Sequence, residues 1–309
     1  MRRFGQRLHS STLAVGRAPI ASTSSFIPPR MRPPKLPVVP QLKVDNINSA
    51  QLRSHVQTIH QHLEGAGILN ITLGFEDDTS RYLQNVILNL NKYHGHGLPI
   101  THSATRGWFW DIRPSRESFQ SPNCQARSET MEEFPWHTDC SYESLPPRFF
   151  GLQILQPDRC GGGTFSIISV DSLLDLLSSS ARKTLGSPEY RISVPPEFIK
   201  EDDTRHITGS VLASNGDGEL TQLRFREDIV TPLTPDAAVA LEELKTVLRG
   251  PEAKASVLDF TGGPLPRGSI LLVDNRRWLH ARNHVKDPNR HLRRVRWDSK
   301  AFGESENSI

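Results

Sequence analysis

His137-Thr138-Asp139 is the first place where side chains of this chain could do chemistry together. In an extended segment, residues i and i+2 project to one side, so the imidazole and the carboxylate share a face. A neutral imidazole and a carboxylate so placed can fill two adjacent positions of an octahedral metal ion. A second histidine then completes a facial triad with three positions left open. The triplet is weak by itself: with 12 His and 17 Asp in 309 residues, roughly 0.7 such pairs arise by chance. Company for it lies near the C-terminus. Gly268 to Asn275 reads as a buried strand entering an Asp-Asn turn, and His280 follows five residues later, then Arg282, Arg290 and Arg294. Strand alternation over Arg290–Trp297 sets Arg290, Leu292, Arg294 and Arg296 on one face and Arg293 on the other. A guanidinium beside a metal can grip a carboxylate through two parallel N–H bonds, a planar match that lysine lacks. The plain alternative is a solvated basic strand.

These residues need rigid elements to position them. Leu52, Val56, Ile59 and Leu63 fall on one helical face over Ser49–Leu63, with Gly65 as a stop. A short apolar strand is expected at Ile68–Phe75 and a second helix at Thr79–Leu90, with Leu83, Val86 and Leu90 inward. From Gly97 the pattern becomes short strands divided by Gly and Pro turns: Ile100–Ser103, Trp108–Ile112, Phe134–Cys140, Phe149–Leu155, Thr164–Ser169, Arg191–Val194, Gly209–Ala213, Leu220–Phe225, Ala255–Phe260, Ser269–Val273 and Arg290–Trp297. One helix interrupts them, capped by Thr234, opened by Pro235, lined by Leu241, Leu244 and Leu248, and stopped at Gly250-Pro251. Many strands with a few helices predict a mostly β fold with helices packed outside. No linker composition occurs after residue 45, which predicts one domain over 45–309.

Composition narrows the function. Residues 1–44 hold eight Lys/Arg and no acid, so the net charge of +3 leaves 3 − 8 = −5 for residues 45–309. A mildly acidic body is no electrostatic footprint for nucleic acid. The apolar runs, such as Ile270–Val273, fall far short of the roughly 20 residues that a membrane helix requires. The basic, Ser-rich, acid-free stretch 1–44 has the composition of a mitochondrial transit peptide; its prolines fit equally a disordered extension on a cytoplasmic protein. Cys124, Cys140 and Cys160 cannot form a disulfide framework.

Two stretches, FPWHTDCSYESLPPRFFGLQILQPDRCGGGTFSIISVDSLL and GSILLVDNRRWLHARNHVKDPNRHLRRVRW, resemble the taurine dioxygenase-like (TauD/TfdA-like) Fe(II)/2-oxoglutarate oxygenases, whose branches include clavaminate synthase-like and γ-butyrobetaine hydroxylase-like enzymes. The resemblance implies a double-stranded β-helix (jelly-roll) core with Fe(II), 2-oxoglutarate and O2 as cofactor and cosubstrates. The reaction it implies is oxidation, above all hydroxylation, of a small organic metabolite with release of succinate and CO2. Carried over residue by residue, His137, Asp139 and His280 match the iron ligands, while Thr164 and Arg290 match the groups that hold the far carboxylate of 2-oxoglutarate. Arg294 matches a position that meets the substrate's acid group, or it supports Arg290. Retention of Asp139 argues against halogenation, which needs that position vacated.

Other residues carry competing readings. Arg106, Trp108 and Trp110 precede the first ligand motif, where relatives cover the substrate; core packing of a Trp-rich strand is the alternative. Arg224, with Arg226, could reach the cavity, or could face solvent. Cys140 should alternate away from the metal as a small core residue. Asp158 to Gly163 reads as a tight turn delivering Thr164 into the barrel, since no Lys-Ser/Thr follows as in a phosphate loop. His94, His96 and His102 meet no standard zinc spacing. The rival functions are an inactive metal-binding barrel acting as sensor or scaffold, and a zinc hydrolase that leaves Arg290 and Thr164 without roles. The expected partner is a small molecule, and a homo-oligomer is compatible with the sequence.

Overall fold

Strand alternation and apolar runs resolve into two main sheets. The computed structural model describes residues 37–101, 107–114, 125–199, 205–215, 218–263 and 265–303. The strands in chain order are β1 (Gln41–Val44), β2 (Ile68–Leu73), β3 (Trp110–Ile112), β4 (Phe134–His137) and β5 (Pro147–Gln156). Next come β6 (Phe165–Ser169), β7 (Tyr190–Ser193), β8 (His206–Gly209), β9 (Leu212–Ser214), β10 (Leu220–Leu223) and β11 (Val230–Pro232). Last are β12 (Leu258–Phe260), β13 (Ser269–Asp274), β14 (Trp278–Arg282) and β15 (His291–Ser299). The larger sheet runs β1-β2-β13-β5-β15-β3 and the smaller β12-β6-β14-β4. Together they form the jelly-roll core, and residues 34–309 make one unit.

Burial shows why these segments take these places. In β5, nine of the ten residues are buried, as a strand covered on both faces requires. On one face Phe149 joins Ile270, Leu272, Val295 and Trp297 against helices α1 (Arg53–Gly65) and α2 (Arg81–His94). On the other, Phe150, Leu152 and Ile154 meet Phe165, Ile167, Phe260 and Trp278 of the smaller sheet. A third core gathers around the helix Pro235–Arg249, where Leu241, Leu244 and Leu248 pack beside β7, β9 and β10.

The expected helices form, with shifted ends. A short 3-10 turn, Ile47–Gln51, precedes α1 and leaves Leu52 exposed, while Val56, Ile59 and Leu63 are buried. The helix α2 runs on to His94 and stops at Gly95 in the left-handed region. The Thr234 hydroxyl accepts from Ala237 N–H at 3.1 Å, as a cap should. Strand expectations needed more correction. The first site strand ends at His137 instead of Cys140, Gly209–Ala213 is divided between β8 and β9, and Ile100 lies outside any strand, with Ser103 beyond the described residues. The sequence pattern did not announce β1, β11 or β14, and β14 carries His280.

Short β3 is tied down by charge. The Asp111 carboxylate accepts from Arg293 Nε at 2.8 Å and bonds His291 Nε2 at 3.0 Å. Burial alone would raise its pKa, but the hydrogen bonds from His291 and Arg293 outweigh that and hold it below its ordinary 3.8. A depressed acid stabilises the fold above its unfolded pKa and loses that contribution as pH falls through the folded value. Asp111→Asn should therefore be less stable than the parent at pH 7. In urea unfolding the gap should close progressively below pH 3.8, and a gap independent of pH would contradict the ion-pair account.

Candidate metal and anion site

Register brings the two histidines together. β14 pairs antiparallel with β4, and His280 sits directly opposite His137. Their ring centroids are 4.1 Å apart. Each ring is packed by aromatics: Phe134 stacks on His137 at 3.6 Å, and Phe150 and Phe165 lie 4.7 and 5.5 Å from His280. Asp139 arrives by a different route from the alternation expected of it. Since β4 has ended, a turn places the carboxylate, and Cys140 after it adopts a positive φ of 53°. The turn is bolted from three sides. Thr138 N–H donates to the Phe225 carbonyl (2.8 Å), Asp139 N–H donates to Asn275 Oδ1 (2.7 Å), and Asn275 Nδ2 donates to the carbonyls of Asp139 and Pro147 (2.9 Å each). Asp139 Oδ1 then lies 3.9 Å from His137 Nε2 and 3.7 Å from His280 Nε2. All three residues are buried.

The chemistry of this donor set fits a divalent metal ion. His137 Nδ1 is 2.7 Å from the Pro135 carbonyl, which can only accept, so the proton sits on Nδ1 and the Nε2 lone pair faces the cavity. Burial pushes both imidazoles below their ordinary pKa of 6.5, keeping them neutral as ligands must be. Asp139 is the opposite case. Burial would raise its pKa, but the guanidinium groups of Arg294 and Arg296 outweigh it and keep the acid ionised. Arg294 Nη1 lies 3.2 Å from Oδ1, and Arg296 Nε lies 2.9 Å from Oδ2.

One wall of the cavity carries a guanidinium with no hydrogen-bonded acid, its charge supported from a distance by Asp158 and opposed by Arg282. The three donors open into a cavity lined also by Phe150, Leu152, Phe165, Leu292, Arg290 and Arg294. The Arg290 side chain is 95% buried, and among the described residues its guanidinium makes no hydrogen bond or ion pair. An uncompensated buried cation costs several kcal/mol in effective desolvation, so such a group is expected to meet an anion in the working protein. Gly163 makes room for it: φ is +65°, and a Cβ there would lie 3.0 Å from Arg290 Nε. The glycine-rich turn thus packs on Arg290. Thr164 is not among the lining residues of the three cavities to which Arg290 contributes, and its N–H donates to Asn283 Oδ1 at 2.7 Å. Its neighbour Phe165 faces the ligands instead.

Other expected residues divide. Trp110 lies beside Arg294, whose guanidinium is 5.9 Å from its ring centroid, whereas Trp108 packs into the core behind the larger sheet. Arg224 is drawn away, donating to the Ser210 carbonyl (2.8 Å) and covering Phe302. Arg226, two residues on, forms a backbone β-bridge with His137, and its side chain lines a second cavity. Arg106 falls outside the described residues. Cys140 is not plain core: its sulfur accepts from Arg296. Arg296 and Asn275 are the members that pattern reasoning missed. Arg296 shares the face of Arg294, a signal present in the alternation, whereas Asn275 reaches Asp139 across 136 residues without a local sign.

A second cluster, His60, Glu64 and His96, also brings donors within reach of one another. Trp297 Nε1–H donates to His96 Nδ1 (3.3 Å), which leaves the His96 proton on Nε2, facing His60 Nδ1 at 3.1 Å. The lone pairs are spent on a hydrogen-bonded chain, and Glu64 is held by Arg148 at 2.7 Å. His94 stacks on His60 and His102 is outside the described residues.

Asn275→Ala removes three buried hydrogen bonds and orphans their partners, each worth about 1–3 kcal/mol. It should lower the denaturation midpoint and weaken metal binding by roughly 10- to 100-fold. Calorimetric metal titration checks this, and parental affinity in the variant would show that the turn needs no such bolt.

Comparisons with known proteins agree with this architecture. L-asparagine oxygenase from Streptomyces coelicolor is 29% identical over 163 residues, covering 49% of this chain and 45% of that protein. A glutarate 2-hydroxylase from Pseudomonas putida is 32% identical over 158 residues, covering 51% and 45%. The chain therefore spans under half the length of the curated relatives it matches. Among solved structures, asparagine oxygenase in complex with Fe(II), 3-hydroxyasparagine and succinate aligns with a TM-score of 0.61 at 19% identity, over 83% of this chain and 92% of that one. A mutant of the non-heme iron oxygenase OrfP in complex with (3S)-hydroxy-L-Arg gives 0.62 at 15% identity, over 86% and 95%. At these identities the likeness establishes the shared fold. The profile of the taurine catabolism dioxygenase TauD, TfdA family matches residues 36–296, and the chain belongs to that family.

Proposed function

We propose that this protein is an Fe(II)- and 2-oxoglutarate-dependent dioxygenase that hydroxylates a small polar metabolite. One observation carries the reading: two neutral imidazoles and an ionised carboxylate converge in a cavity that also holds a buried guanidinium with no hydrogen-bonded acid. A zinc hydrolase or an inert scaffold has no use for that guanidinium. In this reading His137, Asp139 and His280 hold the iron, and Arg290 takes the far carboxylate of 2-oxoglutarate. In the same reading Thr164, which resemblance pairs with Arg290, offers its hydroxyl to the same carboxylate, its backbone N–H being bonded to Asn283. When bound, iron with 2-oxoglutarate and O2 supplies the oxidising power for C–H hydroxylation, with succinate and CO2 released.

The chain's own residues orient and exclude. Pro135 and Phe134 fix the tautomer and plane of His137, and Arg296 pairs with Oδ2 of Asp139 while Oδ1 lies toward the histidines. Phe150, Phe165 and Leu152 exclude water around the donors, which strengthens each charge interaction inside. The relatives' activities, on asparagine and glutarate, support a small polar substrate. The acid-free basic stretch 1–44 supports delivery to mitochondria as part of the same reading.

Anaerobic addition of Fe(II) and 2-oxoglutarate should produce the weak visible charge-transfer band of the chelate, and His137→Ala should abolish it. A band of parental intensity in that variant would refute the ligand assignment. Arg290→Lys keeps the charge but not the planar fork. It should weaken 2-oxoglutarate binding by roughly 10- to 100-fold, the worth of a charge-assisted pair; unchanged affinity would place the cosubstrate elsewhere.

A further inference from the structure

A cleft of about 720 Å³, the size of many small-molecule sites, lies at the start of β15. Leu292 and Arg294 of that strand line the metal cavity, whereas His291 and Arg293 line the cleft. Five arginines converge on it from four segments. Arg113 follows β3, Arg159 follows β5, Arg267 precedes β13, and Arg290 and Arg293 belong to the start of β15. Asp78 is the one acid among the described residues that line it.

Acids and carbonyls hold these arginines in place without neutralising them all. Arg267 pairs with the Asp78 carboxylate at 2.8 Å. Arg293 Nη1 donates to the Asp78 carbonyl at 2.7 Å, while its Nε bonds Asp111. Arg159 Nε pairs with buried Asp287 at 2.7 Å. The Asp158 carboxylate accepts from the N–H groups of Cys160 and Lys286 (2.8 and 2.7 Å), which ties the loop of Arg159 to the loop that leads into Arg290. Exposed Arg113 has no hydrogen bond or ion pair among the described residues. Five arginines against Asp78, Asp111 and Asp287 leave two positive charges in excess. They gather on a body, residues 45–309, whose net charge is 3 − 8 = −5. A solvated basic strand does not account for a concave site built from four segments with its walls fixed in advance. Donors so preorganised lose little freedom on binding. Exposed ion pairs contribute little to stability, so Arg267 can exchange Asp78 for an incoming anion at small cost.

We propose that this cleft is a second anion site, taking a compact oxyanion with two or more phosphate or carboxylate groups, and that its occupant opposes 2-oxoglutarate. Guanidinium forks match both groups through paired N–H bonds, and two charges in excess suit a dianion. Arg290 lines the cleft and the metal cavity alike. The coupling rests on the reading that Arg290 holds the far carboxylate of 2-oxoglutarate. An anion in the cleft then draws on the same positive charge, and each anion weakens the other by the same factor.

The test is anaerobic calorimetry on the full-length protein with Fe(II) bound, using propane-1,3-disulfonate, which does not chelate iron, against methanesulfonate at equal ionic strength. The disulfonate should bind about tenfold or more tightly. Arg113→Gln and Arg267→Gln alter exposed side chains, so folding is not at stake. Each should weaken the disulfonate by roughly three- to tenfold. Saturating disulfonate should weaken 2-oxoglutarate, read from the visible chelate band, about fivefold or more, and both variants should relieve that effect. On the metal-free full chain, tighter inorganic pyrophosphate assigns phosphate groups and tighter citrate assigns carboxylates; binding of neither overturns the proposal. Disulfonate no tighter than methanesulfonate, or unchanged 2-oxoglutarate affinity, overturns it as well. Antagonism that survives in both variants places the anion in the metal cavity and overturns it too. Absence of the chelate band in the parent overturns the iron reading and the coupling, while the disulfonate titration still decides the site.

Discussion

The antiparallel register of β4 on β14 is the constraint on which the site depends. It sets His137 opposite His280, and a slip of one residue would turn one imidazole to the other face of the sheet. Everything else reads as a means of bringing a carboxylate and then guanidinium groups to that pair. The end of β4, the Asn275 clamp and the positive φ of Cys140 turn Asp139 inward. β15, paired with central β5 over most of its length, carries Arg290 just before it and Arg294 and Arg296 on its buried face.

Buried charge is then what distinguishes this interior from an ordinary jelly-roll core. Asp139 stays ionised because two guanidiniums outweigh its desolvation. The histidines stay neutral because nothing outweighs theirs. Arg290 is held in place without an anion, which is unfavourable for stability and useful for binding. A cation of this kind fits a protein that works only when charged small molecules are bound. Hydrophobic residues pack the same walls, so each charge acts in a medium less screening than water.

Much of this was legible in the chain before folding, and the failures have physical causes. The helices were readable because caps and 3.6-residue periodicity are local; Thr234, Pro235 and Gly250 bound theirs at both ends. The buried runs of β5 and β13 were visible as apolar stretches. His137, Asp139 and His280 were nominated by residue type and by family resemblance, and the structure brings them together. Strand alternation does not place Asp139, because β4 ends at His137 and a turn held by distant Asn275 turns the carboxylate inward. Arg224 and Arg226 looked equivalent in the sequence, and only tertiary packing turned one toward Ser210 and the other over Phe134. The five residues of β14 were hidden because their Trp-Leu-His-Ala-Arg pattern, buried almost throughout, shows no clean alternation.

The most direct test of the central claim is anomalous diffraction from crystals grown anaerobically with Mn(II), a redox-quiet substitute for iron, and 2-oxoglutarate. A metal peak enclosed by His137, Asp139 and His280, with the cosubstrate's far carboxylate on Arg290, is the predicted result. A peak at His60, Glu64 and His96 with none at the strand pair would contradict it.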